Sequence, residues 1–432
     1  MKPLTEEMVS RRDSANREQD STACQPRETA MISRPSLQFL VTFLLAAAVN
    51  VCQATAGPPV SKLGTDFGIR LFREVAASAG ERNVVLSPYG ATALMGIAQL
   101  GAAGNTLKQL WSTMGYQLKD KGVPLALRHL QKDLTAKSNR DIVYSANSVF
   151  IQRNMQLPNA YLKNYRRAFN GWPKQIYFQD ATMATYLINK WVEIQTRGMI
   201  PKFLRPDVLD PVLTRMVLIN AVYFKGLWKL PFPIEATHQR VFYKEDGTKI
   251  LVPMMSQSAK LNASEFVTPS GVDYDVIELP YHGETLSMYI VAPFHKNVPL
   301  SALTDIITAS LVDEWAQSLE TVKRQLVLPK FSLESEVDLR KPLMALGITD
   351  IFNARKADFS KISTSEQLFV AKTLQKVKVE VNESGTKASA ASAAILYERM
   401  APFEVVIDRP FLFLVRHNPT GTILFLGQVM EP

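Results

Sequence analysis

Apolar residues recur at helical spacing in the first part of the chain and at strand spacing in the second. From Leu63 to Phe72 the pattern predicts an amphipathic helix. Ser87-Pro88-Tyr89 opens another, with Ser87 as its cap and Pro88 in its first position, and Asn189–Gln195 reads as a third. Met216–Phe224 is a β-branched, aliphatic and aromatic run around Asn220, suited to a buried strand. Two hairpins are expected: Asp275–Leu279 with Leu286–Val291, and Phe411–Val415 with Thr422–Leu426 across an Asn-Pro-Thr-Gly turn. Val377–Val381 alternates apolar and polar as a half-buried strand does. Helices first, strands later and no βαβ alternation together predict an α+β fold. No repeat or linker-like stretch precedes residue 385.

Composition narrows the class. With 432 residues, 47% hydrophobic and 21% charged, the chain matches the globular mixture and excludes a disordered, collagenous or multi-spanning membrane protein. A net charge of +9 favours contact with polyanions without identifying one. Residues 31–56 read as a secretory signal: Met31 and Arg34 form a basic start, and Leu37–Val49 is apolar but short of the roughly 20 residues a membrane-crossing helix needs. Ala54-Thr55-Ala56 then offers a cleavage site that makes Gly57 the mature N-terminus. Residues 1–30 are expected to be an upstream extension absent from the working product, leaving 57–432 as a single secreted, extracellular domain. Both cysteines, Cys24 and Cys52, precede the cut, so the mature domain relies on burial rather than disulfides. Asn262 and Asn382 head glycosylation sequons that fit a secreted product.

Catalytic chemistry is missing. The five histidines, His129, His238, His282, His295 and His417, show no metal-ligand spacing. No hydrolase, metalloprotease, phosphate-loop or dinucleotide motif occurs. No enzyme, cofactor, metal site, nucleic-acid partner or membrane span is expected, and a monomer is.

One segment breaks the globular pattern. From Gly385 to Pro402, the half spanning 386–394 is almost all small residues. Thr386, Ala388, Ala390, Ser392 and Ala394 would share one side of an extended strand, so that side could enter a sheet without overpacking. The run leads to Arg399-Met400, and an extended basic residue is what a trypsin-like specificity pocket reads. A plain flexible linker accounts for the composition but not for the parity or the bait.

This pattern resembles the hinge and reactive-centre loop of a serpin. Asn83–Pro88, Asn220–Trp228, Leu328–Phe331 and Asp408–Leu412 resemble further family signatures, in order along the whole mature chain. The resemblance implies a large central sheet with further sheets, about nine helices and an exposed loop near 385–402. It implies a suicide substrate of trypsin-like serine proteases, with urokinase-type and tissue-type plasminogen activators as leading targets, and so a restraint on plasmin formation and fibrinolysis. The bait bond would be Arg399–Met400, and Glu383, Gly385, Thr386, Ala388, Ala390 and Ser392 would form the hinge. Gln375 stands at a shutter position where many serpins have His. Tyr397 and Glu398 are bulkier and more charged than expected before the bait. Glu404 keeps one acid of a pair that meets a basic protease loop, while Phe403 replaces the other.

Two accessory surfaces follow from the same resemblance. Lys108, Lys119, Lys121, Arg128 and Lys132 fall where inhibitory serpins bind glycosaminoglycans such as heparin, with a solvated basic face as the rival reading. Arg153, Leu162 and Gln175 match part of a vitronectin-binding surface, with ordinary surface residues as the rival. The alternative to inhibition is a serpin used as carrier or chaperone, in which the hinge has lost its small residues.

Overall fold

Residues 60–134, 143–205, 207–383 and 403–432 are described by the computed structural model. The expected extension, signal segment, bait and hinge residues from 385 onward lie outside them. The helices are α1 (Val60–Ala79), α2 (Pro88–Gly101), α3 (Gly104–Met114), α4 (Val123–Leu134), α5 (Asn159–Phe169), α6 (Ala181–Gln195), α7 (Ser301–Thr304), α8 (Ala309–Ser318) and α9 (Arg340–Ala345). The strands are β1 (Val84–Leu86), β2 (Val143–Gln152), β3 (Lys174–Ile176), β4 (Met216–Phe224), β5 (His238–Tyr243), β6 (Lys249–Val267), β7 (Asp273–Pro280), β8 (Leu286–Pro293), β9 (Glu320–Pro329), β10 (Phe331–Asp338), β11 (Lys372–Val381), β12 (Glu404–Val406), β13 (Phe411–His417) and β14 (Thr422–Val429).

Five strands form one sheet in the order β10-β11-β4-β2-β3. The other nine join into a second network, because the 19-residue β6 pairs with β5, β7 and β9 in turn. Both expected hairpins are present, as β7–β8 and β13–β14, and the second turns at Gly421 with φ +70°. The expectation of no βαβ unit is corrected: β2 and β3 are parallel, with α5 between them in the chain. At three residues, β3 is too short to show any periodicity.

Every residue of β4 is buried. Met216 and Leu218 face the helical core around α1 and α2, while Val222 and Phe224 join the core of the second sheet. Val217, Ile219, Ala221 and Tyr223 point the other way, beneath α6. A strand covered on both faces reads as a near-continuous apolar run, broken in β4 only by Asn220. Helix α6 contributes Ala184, Ile188 and Val192, a stripe at i, i+4 and i+8. Its cap is Asp180, which accepts from the Met183 N–H at 2.8 Å.

Helix α2 begins as its sequence predicts, with Pro88 in the first turn and Ser87 Oγ accepting from the Gly90 N–H at 3.1 Å. Gly90 brings the helix backbone onto Asn220 of β4; a Cβ there would lie 2.3 Å from Asn220 Oδ1. Gly90→Ala is therefore expected to push α2 off the sheet at a cost of about 1–3 kcal/mol, read as a lower midpoint in chemical denaturation.

Candidate functional site

The seam between β4 and β11 is parallel and closed, with Lys372 opposite Val217 through to Val379 opposite Phe224. Side chains staple it at two heights. Midway, Gln375 and Asn220 are directly opposed, and Asn147 of β2 is opposed to Asn220 in turn. Gln375 Nε2 donates to Asn220 Oδ1 at 2.7 Å and to the Ser87 carbonyl at 3.0 Å, while its oxygen accepts from the Ser87 N–H at 2.8 Å. Asn220 Nδ2 donates to Asn147 Oδ1, completing an amide chain across three strands. Asn220 and Gln375 are almost fully buried, so losing one partner would strand a polar group at a cost of about 1–3 kcal/mol.

Nearer the end of β11, Lys225 Nζ reaches across the seam to Glu380 at 3.2 Å, and Lys378 lies 3.4 Å from the same carboxylate. Partial burial pushes the Glu380 pKa up, but the two lysines outweigh it and hold the group below its ordinary value. The same carboxylate helps burial raise the Tyr223 pKa.

Where β11 ends, the chain is fastened before it enters the bait segment. Trp228 Nε1 donates to the Asn382 carbonyl at 2.8 Å, and the Phe232 N–H donates to the Glu383 carbonyl at 2.8 Å. Trp228 stacks on Tyr281 at 4.5 Å, and Phe224 meets the Tyr281 ring edge-on at 5.0 Å. Gly226 makes this stack possible, since a Cβ there would sit 2.1 Å from the Tyr281 ring. The Glu383 carboxylate is buried, accepts from Thr237 Oγ1 at 3.1 Å and pairs with Lys330 at 3.0 Å. Burial opposes its charge, yet the hydrogen bonds and Lys330 prevail and its pKa is lowered.

On the far side of the bait, β12 is a three-residue edge strand lying parallel to β9, with Glu404 opposite Gln325. Glu404 forms an ion pair with Arg240 of β5 at 3.0 Å, both side chains 40% exposed. Phe403 is exposed, with the Arg324 guanidinium over its ring at 5.4 Å.

The five basic residues singled out above are all exposed: Lys108 on α3, Lys119 and Lys121 in the α3–α4 connection, and Arg128 and Lys132 on α4. Lys361 stands close enough to Lys119 for that charge, after partial burial, to lower its pKa. Gln175 donates to the Arg153 and Met155 carbonyls at 3.1 and 2.8 Å, and Arg153 lies over the Tyr177 ring at 5.4 Å. Leu162 is half-buried on α5 and packs against the helical core. Asn262 sits in β6 with Nδ2 donating to Glu278 at 2.9 Å, so a glycan there would replace that bond. Asn382 is half-buried beside Trp228. Asn147, Tyr281, Arg240 and Lys361, and the role of Lys330 as partner of Glu383, carry no signal in the sequence. Lys330 lies within the Leu328–Phe331 stretch and Asn220 within the Asn220–Trp228 stretch that resemble family signatures, but nothing in the sequence pairs either with its partner.

A model of the serpin (serine protease inhibitor) family matches residues 62–432. The chain belongs to the serpins, whose members are in general protease inhibitors rather than proteases. It is 50% identical to plasminogen activator inhibitor 1 of Sus scrofa over 91% of this chain and 96% of that one. It is 45% identical to glia-derived nexin of Mus musculus over 86% and 94%. A crystal structure of native protease nexin-1 with heparin superposes with a TM-score of 0.81 at 42% identity, covering 86% of this chain and 99% of that one.

The Glu383 clamp has a pH signature. A carboxylate with a lowered folded pKa stabilises above its unfolded value, near 4.3, and the contribution is lost as pH falls through the folded value. The melting-temperature gap between wild type and Lys330→Met is therefore expected to be constant from about pH 7 to 5 and to shrink below about pH 4.

Proposed function

We propose that the chain is a secreted suicide inhibitor of the urokinase-type and tissue-type plasminogen activators, restraining plasmin formation. One observation carries the mechanism: β4 and β11 are parallel neighbours, and β11 runs straight into the segment that holds Arg399-Met400. A severed segment that folds back after Val381 runs antiparallel to β11, and between the two strands it runs antiparallel to β4 as well. Insertion exchanges one parallel ladder for two antiparallel ones, the slightly stronger pairing. The net gain is about ten ladder bonds at roughly 0.5–1.5 kcal/mol each, on the order of 10 kcal/mol. The Gln375–Asn220 bond and the Lys225–Glu380 pair must open first, which opposes insertion before cleavage.

Arg399 is proposed as the residue read by the protease, and Gly385, Thr386, Ala388, Ala390 and Ser392 as the hinge that enters the seam behind Glu383. Their small side chains favour inhibition over the carrier alternative. Relatedness to plasminogen activator inhibitor 1 supports the activators as targets. Heparin is proposed as an accessory ligand at Lys108, Lys119, Lys121, Arg128 and Lys132 with Lys361 beside them; all are exposed, and the related nexin was solved with heparin. Vitronectin is proposed at Arg153, Leu162 and Gln175, where Gln175 already bonds the Arg153 carbonyl. Glycans are proposed at Asn262 and Asn382.

Incubation with urokinase-type activator, followed by denaturing electrophoresis, tests the central proposal. Wild type is expected to give a detergent-stable covalent adduct, and Arg399→Ala none. A full yield of adduct from Arg399→Ala would mean that the bait lies elsewhere. Thr386→Arg places a charge on the inserting side, so the variant is expected to be cleaved as a substrate with little adduct. Undiminished adduct from it would contradict insertion through the hinge.

A further inference from the structure

The carboxylate expected to meet a protease is already occupied. Glu404 pairs with Arg240 at 3.0 Å, both side chains reaching solvent, and the residue just before it in sequence is Phe403 rather than a second acid. Its neighbour Arg324 lies over the Phe403 ring and adds positive charge on the same edge. Glu404 follows Arg399 by five residues, at most about 18 Å of extended chain, so a protease holding Arg399 covers this edge. Seen from an approaching cationic surface, the Glu404–Arg240 pair is neutral.

We propose that Arg240 is a specificity-determining residue, competing with the basic surface loop of a target protease for the Glu404 carboxylate. The proposal rests on reading Glu404 as a protease contact. A loop lysine or arginine gains Glu404 only if Arg240 swings into solvent, which its exposure permits. Arg240 thus lowers the chain's preference for proteases with a basic loop relative to proteases without one. Charges at such a rim act mainly on association rate and its salt dependence.

The test is the second-order inhibition rate constant for tissue-type plasminogen activator, divided by that for trypsin. Arg240→Gln is expected to raise this ratio about three- to tenfold and Arg240→Glu to raise it further. The gain should vanish at 1 M salt, where the screening length is about 3 Å, and with an activator whose loop cations are replaced by neutral residues. Glu404→Gln is expected to lower the ratio. If Glu404→Gln lowers it while Arg240→Gln leaves it unchanged, the competition is refuted and Glu404 still stands as a contact. If Glu404→Gln leaves it unchanged, the contact itself fails and the competition with it. Should Arg240→Gln lower the melting temperature without moving the ratio, the pair is only an anchor for β12, which also overturns the proposal.

Discussion

Two strands that run the same way lie side by side at the centre of this molecule, and everything else is arranged around that seam. The ladder between β4 and β11 is complete, yet it is the weaker of the two ladder types and has a better one available to it. The chain leaving β11 is long enough, and small enough in its side chains, to supply the antiparallel strand that would split the pair. Around the seam sit the devices that keep it shut: an amide chain from Gln375 to Asn147, the Lys225–Glu380 bridge, and the clamp of Trp228, Lys330 and Thr237 on residues 382 and 383. None of them is large. On the proposed mechanism, their summed strength sets how readily the sheet opens, and the ladder gain sets how far insertion runs once begun.

Much of the fold was legible from periodicity. The β4 run, the Ser87–Pro88 helix start and both hairpins appear where the apolar pattern put them, because burial on one or both faces dictates residue type position by position. Sheet membership was not legible. Nothing in the composition of β11 says that its neighbour is β4, more than 140 residues earlier, or that the two are parallel, since pairing is a long-range choice. The short β3 and β12 carry too few residues for any pattern.

For the site the division is similar. A hinge and a bait can be proposed from the sequence because unusual composition marks residues 385–402. The charged partners that restrain them cannot: Lys330 meets Glu383 and Arg240 meets Glu404 across separations in sequence that only the folded sheets close. The basic face on α3 and α4 was readable as charge, but its neighbour Lys361 comes from a loop far along the chain.

If insertion drives inhibition, the intact fold stores free energy that insertion releases. The most direct test is to nick the bait segment with a protease that is not retained, and to compare melting temperatures of nicked and intact chains. An extra strand worth on the order of 10 kcal/mol predicts a nicked form that melts about 10–20 °C higher. A nicked chain that melts at or below the intact temperature would contradict it.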